Sequence, residues 1–68
     1  MSESQISEIK KMEELVQDLM RQATEMRAEA EKTNEKNVRK TLLEVAGGLE
    51  ESARNLADGL RGMRENLQ

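Results

Sequence analysis

The chain has no aromatic residue, no cysteine, no histidine and no proline. Each absence removes a class of explanation. Without cysteine there is no disulfide staple, and without cysteine or histidine there is no ligand set for a structural zinc. With Tyr and Trp missing too, most general bases, nucleophiles and metal ligands of enzyme sites are gone. A non-enzymatic protein with no cofactor is therefore expected. No ring is present to stack on a nucleic-acid base. No apolar run approaches the roughly eighteen residues of a membrane span. The opening Met-Ser-Glu-Ser is not the basic start of a signal peptide, and Ser2 stands where myristoylation needs glycine, so a cytoplasmic location is expected.

What remains reads as one small helical domain spanning residues 1–68. Leu, Ile and Val number thirteen in 68 residues, a composition near the edge of disorder. The net charge is only −3, however, and charges of both signs intermix along a chain made almost wholly of helix formers. Residues 1–35 carry five basic and nine acidic groups, whereas residues 36–68 carry six and five. The halves attract weakly, which suits antiparallel contact. A core of this size rarely supplies more than about 3–5 kcal/mol, so self-association is expected as the stabiliser.

Apolar residues recur at Ile6, Ile9, Met12, Val16, Leu19, Ala23, Met26 and Ala30, mostly alternating steps of three and four. That is a coiled-coil-like heptad seam. A second seam runs through Val38, Leu42, Val45, Leu49, Ala53, Leu56, Leu60, Met63 and Leu67, with two successive steps of four that read as a stutter. Working outward from "KTNEKN" at 32–37, the seams mirror each other: Ala30 meets Val38, Leu19 meets Leu49, Ile9 meets Leu60. Two architectures fit this symmetry, a hairpin and a long helix exchanged with a second copy. Thr33, Asn34 and Asn37 are poor helix-interior residues, which favours the hairpin. The fold class predicted is all-α: an antiparallel helical hairpin with helices over 4–32 and 37–66 and a turn at 33–37, pairing into a dimeric four-helix bundle. Ser4 or Ser7 is expected to cap the first helix and Asn37 the second.

All four glycines, Gly47, Gly48, Gly59 and Gly62, fall in the second helix. The preserved apolar phase across them argues for one continuous helix, with the glycine pair as a site for a bend, rather than a break at Gly47-Gly48. Gly48, Ser52 and Gly59 share one flank; Ala46, Ala53 and Ala57 share the other. Small side chains permit close helix approach, so these six form a candidate interface for a second copy or a protein partner. Their other reading is small surface residues on a marginal helix. Arg39, Arg54, Arg61 and Arg64 form a candidate stripe for a nucleic-acid backbone, the alternative function being a small nucleic-acid-binding regulator. The acidic total and the interrupting Glu50 disfavour it. Glu25 and Glu29 lie one turn apart but have no partner ligand, and a solvated face explains them better than a metal site. Met12, Met26 and Met63 lie on the seams with Met20 beside one, filling gaps or forming an adaptable groove.

The middle of the chain, through Ala28, Ala30, Lys32-Thr33-Asn34, Val38-Arg39-Lys40, Leu56 and Leu60, resembles a short helical family of unknown function from endospore-forming bacteria, some members of which are encoded beside spore-membrane transport genes. The layout also looks like half of a ferritin-like bundle. Both resemblances imply two antiparallel helices with a turn after "KTN". The Glu-x-x-His ligand pattern of ferritin-like iron sites is missing, and the spore family's acidic, tyrosine-containing tail has no counterpart in these residues. The function expected is protein–protein interaction or assembly through helix faces.

Overall fold

The computed structural model describes residues 2–67. Two helices, α1 (Glu3–Lys32) and α2 (Lys36–Leu67), pack against each other as an antiparallel hairpin. No strand occurs among the described residues. The hairpin is a thin rod of 51 × 16 × 11 Å. Its radius of gyration is 15.6 Å, against about 11 Å for a compact domain of this length.

Helix α1 is capped two residues before the first of the serines singled out in the sequence. Ser2, not Ser4 or Ser7, is the cap: the Gln5 N–H donates to its Oγ (3.2 Å), and its own N–H donates to Gln5 Oε1 (3.0 Å). The glutamine supplies the reciprocal arm of a capping box that glutamate more often fills. At the other end Thr33 turns extended (φ −92°, ψ 140°), and the connection to α2 takes only residues 33–35. The Thr33 Oγ1 accepts from the Glu35 N–H, and Arg39 reaches back to donate to the Thr33 carbonyl at 2.7 Å. Asn37 is therefore not the cap of α2. Glu35 holds that place, its carbonyl receiving the Arg39 N–H (2.9 Å) and its carboxylate receiving the Asn37 N–H (3.4 Å). A carboxylate there also complements the positive end of the helix dipole. No residue in the turn has a positive φ, so the fold-back requires no glycine.

Helix α2 is unbroken through Gly47-Gly48. The buried residues are Ile9, Ala23 and Ala30 on α1 and Ala46, Ala53 and Leu60 on α2. Ala46 is 0 % exposed and Val45 43 %, which corrects the seam inferred from hydrophobicity. The contact runs through Leu42, Ala46, Leu49, Ala53, Leu56 and Leu60, steps of four and three in strict alternation, so there is no stutter. The contact takes a methyl group at Ala46 and leaves the larger valine at the rim. Ile6, Val38 and Met63, also assigned to the seam, lie exposed at its edges.

Candidate functional site

In heptad terms the buried positions form one column per helix. Ile9, Val16, Ala23 and Ala30 (a positions) face Ala46, Ala53 and Leu60; all but the half-buried Val16 are buried. The neighbouring d column, Met12, Leu19 and Met26 on α1 with Leu42, Leu49 and Leu56 on α2, is only half-buried. This asymmetry gives the rod two unlike faces.

The face beside the a column carries a charge ladder. Glu13 pairs with Arg64 (2.5 Å), and two heptads on Arg27 pairs with Glu50. The Arg27–Glu50 contact is bidentate, Nε to Oε2 at 2.8 Å and the terminal nitrogen to Oε1 at 2.5 Å. Hydrogen bonds from Arg27 hold the Glu50 carboxyl below its usual range, against partial desolvation, with the charges of Arg27 and Arg54 acting in the same direction. Glu50 in turn raises the Arg27 guanidinium. Midway between the pairs the same heptad positions hold Met20 and Ala57. A shallow groove of about 480 Å³ opens there, lined by Val16, Met20, Glu50, Ala53, Arg54 and Ala57. The pairs fix register: sliding one helix by a heptad sets Glu13 opposite Ala57 and Arg27 opposite Leu43.

The opposite face collects the d and g columns. On α1 these are Met12, Leu15, Leu19, Gln22 and Met26; on α2 they are Val38, Leu42, Val45, Leu49, Ser52, Leu56, Gly59 and Met63. No charged residue occupies this face of α1 between Glu8 and Glu29, or of α2 between Val38 and Met63, in a chain that is 37 % charged. Leu15, Val38, Val45 and Met63 are exposed on it.

The structure divides the six small residues proposed from the sequence. Ala46 and Ala53 are spent inside the hairpin, which corrects their assignment to an external interface. Ala57 lies on the charge-ladder face. Ser52 and Gly59 lie in the charge-free face, with Gly48 at its border. A Cβ built on any of the four glycines meets nothing within 4 Å, so close packing inside the hairpin explains none of them. The arginine stripe is dispersed: Arg64 pairs with Glu13, Arg61 with Asp58 (2.8 Å), and Arg39 serves the turn. Arg54 borders the groove and acts on Glu50. Glu25 and Glu29 stand on α1, and no group of three or more metal-ligating side chains converges among the described residues. Among the described residues, no helix is long and apolar enough to cross a membrane.

Sequence reasoning missed the charge ladder. The available signal was Glu13 and Arg27 two heptads apart in one half, mirrored by Glu50 and Arg64 in the other. No family model matches the chain, and neither does any curated protein or solved structure.

Proposed function

We propose that this is a non-enzymatic assembly protein whose charge-free face pairs with a second copy to complete a four-helix bundle. The face itself carries the reading. Soluble chains seldom leave a contiguous apolar face of this extent to water unless something binds it. The area supports a partner of the hairpin's own size. The accessible surface is 5345 Å², whereas a 7.7 kDa monomer ordinarily exposes about 4,300 Å². The excess, about 1,000 Å², is comparable to the roughly 800 Å² each partner buries in a stable interface. The hairpin's interior also has no fully buried large side chain, so a second layer supplies the core that one layer lacks.

Val45→Glu tests the reading, because Val45 is exposed in the hairpin and its replacement leaves the a-column contact intact. The wild type is expected to sediment at twice the chain mass and the variant at the chain mass, with helicity retained by far-ultraviolet circular dichroism at high concentration. A wild-type chain that sediments as a monomer at every concentration overturns the proposal.

A further inference from the structure

Resting on that self-association, we propose that Met12, Met26 and Met63 are sites of reversible oxidation, through which a peroxide releases the paired hairpins as single chains. Cysteine, histidine, tyrosine and tryptophan are all absent, so the methionine thioethers are the side chains of this protein that a peroxide readily oxidises. Their placement is uneven. Met12, Met26 and Met63 lie in the d column of the charge-free face, whereas Met20 lines the groove on the charge-ladder face. Leucine fills the other places of that column, at Leu19, Leu42, Leu49 and Leu56, so packing alone does not call for a thioether there.

The sulfurs are within reach of a small oxidant. Met63 is exposed, and a cleft of about 200 Å³ lined by Gln5, Glu8, Ile9, Met63 and Asn66 opens beside it. Met12 and Met26 are half-buried in the single hairpin. The thioether sulfur attacks one peroxide oxygen; the S–O bond forms as the O–O bond breaks, and water leaves. Sulfur loses two electrons and the peroxide gains them. The product is a sulfoxide, a polar group set into an apolar face. Among the residues that make up that face, only Gln22 and Ser52 carry side-chain donors, so a sulfoxide pressed against a second copy goes largely unpaired. Each sulfoxide is expected to weaken the pair by about ten-fold. Reduction by two thiols, through a sulfoxide reductase, returns the thioether with a disulfide and water, so the step reverses. Pairing in turn covers the three sulfurs and slows their oxidation, while Met20 stays open in either state.

Hydrogen peroxide is the probe, with peptide-resolved mass spectrometry to locate the sulfoxides and sedimentation to read the mass. The wild type is expected to sediment at twice the chain mass before treatment, and at the chain mass once Met12, Met26 and Met63 are sulfoxides. Methionine sulfoxide reductases with dithiothreitol are expected to restore the pair. Met20→Leu is expected to behave as wild type, whereas a chain carrying Met12→Leu, Met26→Leu and Met63→Leu stays paired in peroxide. A second measurement needs no variant: raising the protein concentration is expected to slow oxidation at the three positions several-fold and to leave Met20 unchanged. A wild type that is monomeric before treatment removes the self-association reading, and this inference with it. A wild type that pairs, and stays paired with all three sulfoxides in place, overturns this inference alone, as does oxidation at the three positions that ignores concentration.

Discussion

At Glu50 the Arg27 guanidinium holds the carboxyl below its usual range, so its contribution to stability has a defined pH window. A group whose folded value is depressed stabilises the fold above its unfolded value and loses that effect as pH falls through the folded one. Glu50→Gln is expected to melt below wild type at neutral pH, and the gap is expected to close in acid, below the ordinary carboxylate range. It should also narrow in molar salt, because the pair is exposed to screening. Thermal melts across pH and salt check both points. Ala46 sits at the opposite extreme, fully buried in the hairpin. Ala46→Leu overpacks that contact and is expected to cost about 1–3 kcal/mol. The same change at the exposed Ala28 should stay within about 0.5 kcal/mol of wild type in chemical denaturation.

At the scale of the helices, α2 carries four glycines with open space at every Cβ position, so it forms despite a backbone-entropy cost. Gly47→Ala, away from the charge-free face, is expected to raise stability by about 0.5–1 kcal/mol. A loss there would show that another backbone approaches. The existence, order and antiparallel pairing of the two helices were legible in the sequence, because the mirrored apolar spacing leaves few alternatives. Where the seam ran within α2 was not. Hydrophobicity points to Val45, whereas close helix approach selects Ala46, and a periodicity ranked by apolar strength undercounts alanine. The caps were misplaced for a related reason. Ser2 and Glu35 are identified by the hydrogen bonds they accept, not by residue type alone. Of the small residues singled out, Ser52 and Gly59 fall on the face that now carries the functional reading. Ala46 and Ala53 do not, since burial inside the hairpin and availability outside it produce the same small-residue pattern.

For the whole molecule, a rod with six buried residues among those described has little core of its own, so the proposed pairing would carry much of its stability. Mass action then links melting to concentration. The wild-type melting temperature is expected to rise with protein concentration over a dilution series, while that of Val45→Glu stays flat. Flat behaviour in both would place all the stability inside one chain.

The fold-back has a mechanical corollary. Glu3 and Leu67 begin and end the two helices at the same tip of the rod, opposite the turn. A load applied across that tip parts the helices like a zipper, layer by layer. The Glu13–Arg64 clasp meets the force first, Arg27–Glu50 later and the Thr33–Arg39 hinge last. Cargo tethered at either helix terminus is therefore carried on one tip, on the side away from the turn.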